Sequence, residues 1–181
     1  MGAADRDRWD ERYMANGPPS LGSVAPPGVF ARHTDLFPSA GAALDLACGQ
    51  GLGSVWLGLR GLRVVGLDIS PVAVSHARDL ARRAAVADRC RFEVVDFDGG
   101  LPAGAPADVI LCSRFRDRRL DRAIIERLAP GGLLAIAVLS EVGAAPGPFR
   151  AKPGELTAAF AELDPVAAGE GEGQAWLLAR G

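Results

Sequence analysis

Lysine is all but missing from this chain. Of its 20 basic residues only Lys152 is not an arginine, and just two histidines, His33 and His76, join them. Against 22 acidic residues this leaves a net charge of −2, so no global field holds nucleic acid or an anionic lipid surface. Cysteine is scarce as well. Cys48, Cys90 and Cys112 are odd in number and form no Cys-x-x-Cys pair, which argues against a disulfide framework or a zinc site and for a reducing, cytoplasmic setting. No apolar run approaches the roughly 18 residues of a membrane span. The charged start, Ala4-Asp5-Arg6-Asp7-Arg8-Trp9, is unlike a signal peptide.

What remains is 181 residues, 49% hydrophobic and 23% charged, the composition of one globular domain. Asp5 to Ala15 reads as a charged helix carrying Trp9 and Tyr13 at i, i+4 spacing. Asn16 to Gly28 holds four prolines and three glycines and reads as a loop. Val29 to Phe37 is apolar at helical spacing and stops at Pro38. From residue 43 strands and helices alternate. Strands are expected over 43–47, 63–67, 91–95, 108–112 and 133–139, and helices over 54–59, 71–85 and 121–128. Ser70 caps the second of these helices, and Pro71 sits harmlessly in its first turn. Gly154 to Leu163 reads as a last helix. Two short runs around Gly171 and Gly173 read as an antiparallel hairpin. Such alternation predicts an α/β fold, a mainly parallel sheet with helices on both faces, whose ligand lies beyond the carboxyl ends of the strands.

Three signals sit at those ends. Cys48-Gly49-Gln50-Gly51-Leu52-Gly53 is a glycine-rich turn. Gly49 and Gly51 permit close backbone approach, and the following helix start offers free N–H groups. The dinucleotide fingerprint wants a third glycine where Ser54 stands, so the spacing alone also fits a simple tight turn. Asp68 ends the second strand, where an acid can accept from both hydroxyls of a ribose. Nicotinamide enzymes and methyltransferases share this device, and the same acid could merely cap the helix at Pro71. Asp96-Phe97 ends the third strand and could grip an adenine, the carboxylate taking its amino group and the ring covering a face.

Leu44-Asp45-Leu46-Ala47-Cys48-Gly49-Gln50-Gly51 resembles motif I of the class I S-adenosylmethionine-dependent methyltransferases. Gly66-Leu67-Asp68-Ile69-Ser70-Pro71 resembles their second-strand acid and helix start, Val95-Asp96-Phe97 their adenine motif, and Leu128-Ala129-Pro130-Gly131-Gly132-Leu133 their turn into strand five. The resemblance spans nearly the whole chain and is closest to the small tellurite-resistance-type methyltransferases, through Trp9-Asp10-Glu11-Arg12-Tyr13, Arg114-Phe115 with Arg118, and Lys152-Pro153-Gly154-Glu155-Leu156. It implies a three-layer Rossmann-like domain with seven strands and an antiparallel C-terminal hairpin, residues 1–37 forming a helical cap over a core at 38–181. It also implies S-adenosyl-L-methionine as cofactor, bound by Asp45, Gly49, Gly51, Asp68, Ile69, Asp96 and Phe97. The loop Pro18 to Gly28 and the charged Ser113-Arg114-Phe115-Arg116-Asp117 depart from the family, so the acceptor's identity does not carry over.

Methyl transfer from a sulfonium asks the protein for alignment and exclusion of water, and for no nucleophile. No catalytic side chain is singled out and no metal is expected. His33 and His76 read as packing or solvated residues, and Cys48 and Cys112 as small hydrophobes. Arg114 and Arg118 are the acceptor candidates, since guanidinium matches anionic groups bidentately. Arg116 and Arg119 read as a solvated helix start. Trp9 and Tyr13 are expected to border the acceptor as well, closing over the cofactor so that water is kept from its sulfonium. A small-molecule methyltransferase is therefore expected, neither membrane-bound nor acting on nucleic acid. A non-catalytic cofactor-binding protein and an RNA methyltransferase are the alternatives.

Overall fold

Strands form where apolar residues alternate or run unbroken, and in this chain they all join one sheet. The structure, a computed structural model, describes residues 3–147 and 149–181; Met1, Gly2 and Pro148 lie outside it. The strands are β1 (Ala42–Leu46), β2 (Arg63–Asp68), β3 (Cys90–Val94), β4 (Ala107–Ser113), β5 (Leu128–Leu139), β6 (Asp164–Gly171) and β7 (Gln174–Arg180). Their order is β3-β2-β1-β4-β5-β7-β6. All neighbours from β3 to β5 are parallel, and β7 runs antiparallel between β5 and β6. The order reverses between β1 and β4, which opens a crevice at their carboxyl ends.

Period-2 alternation sorts the core. Ala43, Val64, Val109, Leu111 and Ala135 face one side, with α2 (Leu52–Leu59) and α3 (Pro71–Arg83) over them. Leu44, Leu46, Ile110, Leu134 and Ile136 face the other, against Ile124 of α4 (Asp121–Arg127) and Leu156 of α5 (Glu155–Ala159). This is the three-layer, seven-stranded arrangement with an antiparallel terminal hairpin that the sequence implied. The hairpin turns through Glu172 and Gly173, at φ 51° and 76°. Two left-handed residues in succession match the twist of the strands they join.

α1 (Ala3–Asn16) lies against the start of α3. Ser70 accepts from the Ala73 N–H at 3.0 Å, capping α3, and donates its own hydroxyl proton to Asp10. The Val72 N–H also reaches Asp10, at 3.4 Å.

Three local expectations are corrected. Residues 29–37 are not one helix but two short 3-10 turns, Gly28–Phe30 and Thr34–Leu36, broken at His33. Tertiary packing overrides the helical spacing here. Phe30 and Phe37 are buried edge-on against Trp176 and Trp56, and His33 lies over Trp176 at 5.2 Å. The last helix stops at Ala159, because Phe160 leaves helical geometry as the chain turns to bury Leu163. Pro130-Gly131-Gly132 does not precede β5 but forms a bulge within it, opposite Ala107 and Val109.

Candidate functional site

The crevice is built from the turn after β1 outward. Ala47 and Gly49 take positive φ, and Gly51 at φ 81° begins α2. The two glycines do different work. A Cβ on Gly49 would lie 2.9 Å from the Tyr13 hydroxyl, on the cavity side. A Cβ on Gly51 would lie 2.7 Å from Cβ of Ala77, so Gly51 lets α2 pack on α3. Gly51 does not line the cavity.

Asp45 is buried beneath the turn and accepts from the Ser54 hydroxyl at 2.6 Å. Burial raises its carboxyl to about 7, against the lowering pull of that hydrogen bond. Asp68, at the end of β2, accepts from the Gly49 N–H at 2.8 Å and the Ser70 N–H at 2.9 Å. Its carboxyl too is shifted upward by burial, with those bonds opposing. Tyr13 stands over this pair; burial first, then the Asp68 charge, pushes its phenol upward. Trp9 stacks on Tyr13 at 5.8 Å, and Arg12 lies over Trp9 at 5.2 Å.

These groups line a cavity of about 1130 Å³ at the strand ends. Of the residues singled out in sequence, it is bordered by Trp9, Tyr13, Asp45, Gly49, Asp68, Ile69 and Arg114. Asp96, Phe97 and Arg118 stand outside its lining. Asp96 accepts from the Asp98 N–H at 3.0 Å and caps the turn after β3. The Phe97 ring is not presented to a ligand: it is buried in the lower core, 5.3 Å from Phe115. Arg118 sends two N–H bonds to Glu155, at 2.8 and 2.6 Å.

Arg116 departs most from its expected solvated role. Its side chain is 4% exposed and bridges α4 and α5, bonding Asp121 at 2.8 Å and Glu155 at 3.1 Å. Burial works against ionising Glu155, but bonds from Arg118 and the Lys152 N–H, with the charges of both arginines, hold its carboxyl at about 2. Arg119 pairs with Asp117 and Asp98. Arg114 alone of the run has no hydrogen bond or ion pair from its side chain among the described residues. It is exposed at the cavity wall, at φ 58°, with its backbone N–H bonded to the Ala137 carbonyl at 2.7 Å.

Neither histidine lines the cavity. His76 Nδ1 lies 2.9 Å from Gln50 Nε2, which also donates to the Gly17 carbonyl at 2.6 Å. Cys48 lines the cavity, but burial drives its thiol, like that of Cys112, well above the usual range, so neither supplies a thiolate. Sequence reasoning missed three contributors. Gln50 ties the glycine turn to the end of α1, and its place between two glycines was the only hint. Asp10 anchors α1 to α3, and Phe149 meets the cavity with Arg8 over its ring at 5.7 Å.

Comparison with known proteins gives this geometry a lineage. Residues 43–132 match the family described as "Methyltransferase domain". The chain belongs to the class I S-adenosylmethionine-dependent methyltransferases. It is 32% identical over 104 residues to the ribosomal protein L11 methyltransferase of Photobacterium profundum, covering 56% of this chain and 34% of that protein. It is 29% identical over 149 residues to the ubiquinone biosynthesis O-methyltransferase of Xanthomonas axonopodis pv. citri, covering 79% and 61%. The chain thus spans about a third of the first relative's length and under two thirds of the second's. TehB from Haemophilus influenzae shares the fold, with a TM-score of 0.75 at 19% identity over 97% of this chain and 66% of TehB.

The residues present fit this family's cofactor. A carboxylate offers about four acceptor positions. Backbone N–H groups of Gly49 and Ser70 take one on each Asp68 oxygen, which leaves room for two ribose hydroxyls. The bare Cα of Gly49 leaves the turn open to close approach, and Ile69 adds an apolar wall.

Proposed function

We propose that the protein transfers a methyl group from S-adenosyl-L-methionine to a small-molecule acceptor. The observation that carries this reading is that one cavity joins the Asp68–Gly49 end to the unpaired Arg114 side chain, with α1 along its wall. The bound cofactor supplies a methyl carbon activated by a sulfonium. Asp68 and Asp45 hold the cofactor's hydroxyl and ammonium groups, and Gly49 and Ile69 shape its seat. Asp96 meets the adenine from beside the turn after β3. Trp9 and Tyr13 cover the sulfonium and exclude water, which keeps the displacement in line. Arg114 holds the acceptor. The three free cysteines are consistent with a reducing, cytoplasmic setting.

Pairing within the arginine run supports a small acceptor over RNA, since an RNA enzyme needs a basic stripe beyond its pocket. The test is calorimetric titration with S-adenosylmethionine and with NAD, followed by assay of S-adenosylhomocysteine production over thiols, oxyanions and small acids. Binding of the methyl donor with turnover on a member of the panel is expected. Binding of NAD alone overturns the reading, and tight donor binding with no turnover on a broad panel makes this a binding protein.

A further inference from the structure

The acceptor's chemical class is written in the second half of the cavity. A volume of about 1130 Å³ exceeds the roughly 300–1,000 Å³ that one drug-sized ligand fills, so the cavity takes the cofactor and an organic acceptor together. Its charged lining is Asp45 and Asp68 at the β1 and β2 ends, Arg8 and Arg12 on α1, and Arg114, Arg116 and Asp117 after β4, of which Arg116 is paired with Asp121 and Glu155 and Asp117 with Arg119. The guanidinium of Arg114 has no protein partner among the described residues, and its fork fits a carboxylate bidentately. Trp9, Phe115 and Phe149 add apolar ring surface to the same cavity, Phe115 directly after Arg114 in the chain.

A general base is what this region lacks. Among the described residues no histidine lines it. Asp117 is bound by Arg119, which holds its carboxyl below the ordinary range, and Asp45 and Asp68 belong to the cofactor's end, where its ammonium and ribose hydroxyls take them up. An acceptor that must lose a proton during attack has no partner here; one that arrives ionised needs none.

We propose that the acceptor is an aromatic carboxylate, its ring among Trp9, Phe115 and Phe149 and one oxygen held by Arg114, methylated on the carboxylate to a methyl ester. The inference rests on the methyltransferase reading above. A carboxylate lone pair forms the O–CH₃ bond as the methyl carbon's bond to sulfur breaks, and that bonding pair stays on sulfur. The negative carboxylate and the positive sulfonium become a neutral ester and a neutral thioether. No proton moves.

The test uses the full chain saturated with S-adenosylhomocysteine and titrated with benzoate, 2-naphthoate, their carboxamides and sulfate, followed by calorimetry and tryptophan fluorescence. The aromatic carboxylates should bind at least about tenfold more tightly than the carboxamides, the scale of a charge-assisted hydrogen bond. They should also outbind sulfate. In Arg114→Ala and Arg114→Gln the carboxylate-to-carboxamide ratio should fall to about one with S-adenosylhomocysteine affinity unchanged, a selective loss that general destabilisation does not produce. With S-adenosylmethionine the product's methyl group should be released as methanol by mild alkali. Homocysteine-product binding without carboxylate preference, sulfate binding as tight as naphthoate, or an alkali-stable methyl product each overturns this inference and leaves the methyltransferase reading standing. Failure to bind either cofactor form overturns that reading instead.

Discussion

At the ends of β1 and β2, the polar groups facing the cavity are buried and fixed by short-range bonds. Asp68 takes N–H groups from Gly49 and Ser70, and Asp45 takes the Ser54 hydroxyl. At the end of β4 and along α1, the groups are long side chains: Arg114 and Arg12, both exposed, and the stacked, half-buried Trp9 and Tyr13. The first region is fixed by backbone N–H groups and one buried hydroxyl, so it suits a ligand that never changes. The second is held by side chains that can be exchanged without disturbing the sheet, so it is where a family diversifies its acceptors.

The largest expected effect tests the rigid end. Asp68→Ala should cost cofactor binding about 2–3 kcal/mol, the value of lost hydrogen bonds to a charged group, measured by calorimetry. Arg114→Ala should leave that affinity untouched. Equal losses in both variants would erase the division between the two ends.

The next effect separates two glycines that look alike in sequence. Gly51→Ala drives a Cβ to 2.7 Å from Ala77 Cβ, at φ 81°. Overpacking of this kind should lower stability by about 1–3 kcal/mol, read from urea midpoints. In Gly49→Ala the left-handed φ of 53° costs about 1 kcal/mol, but the nearest obstacle is the Tyr13 hydroxyl, the end of a side chain, and not another helix. Its cofactor affinity should therefore fall more than its stability. Matching stability losses in the two variants would mean that both glycines serve packing.

What the sequence disclosed follows the same division. The strands, their carboxyl-end acids and the glycine turn are local patterns, and Asp45, Gly49, Asp68 and Ile69 meet in space because β1 and β2 are neighbours. The acceptor end was legible only in part. Six adjacent residues, Arg114 to Arg119, cannot be sorted into paired and unpaired by inspection, because Asp98 and Glu155 come from distant segments. Phe97 looked like an adenine cover, and only the three-dimensional position of Phe115 shows its ring turned into the core. The run 29–37 failed as a helix because its phenylalanines pack on each other and edge-on against Trp176 and Trp56, which its own sequence does not show.

A smaller effect is a pH dependence confined to the rigid end. Burial raises the Asp45 carboxyl from 3.8 to about 7 in the folded chain, so the folded state holds this proton more tightly than the unfolded one. Its contribution to stability is complete below about pH 4, declines as pH rises through about 7, and is constant above. Between pH 6 and pH 8 the wild-type chain should lose roughly 1–2 kcal/mol from this group, and Asp45→Asn should flatten that slope in urea titrations. An unchanged slope in the variant would assign it to another group.

The smallest expected effect is the sharpest test of where the acceptor end stops. Arg118 lies only four residues beyond Arg114 and carries the same charge, but its side chain is 53% exposed and already forked onto Glu155. Exposed pairs of this kind contribute about 0–1 kcal/mol. Removing Arg118 does not strand Glu155, which keeps Arg116 and the Lys152 N–H. Arg118→Ala should therefore shift stability by less than about 0.5 kcal/mol and leave the acceptor KM unchanged, whereas Arg114→Ala should raise that KM with cofactor affinity intact. A raised KM in both variants would carry the acceptor's anionic end over the rim of the cavity to Arg118, in competition with Glu155 for its guanidinium. In that case Glu155→Gln, which weakens the competitor, should lower KM rather than raise it.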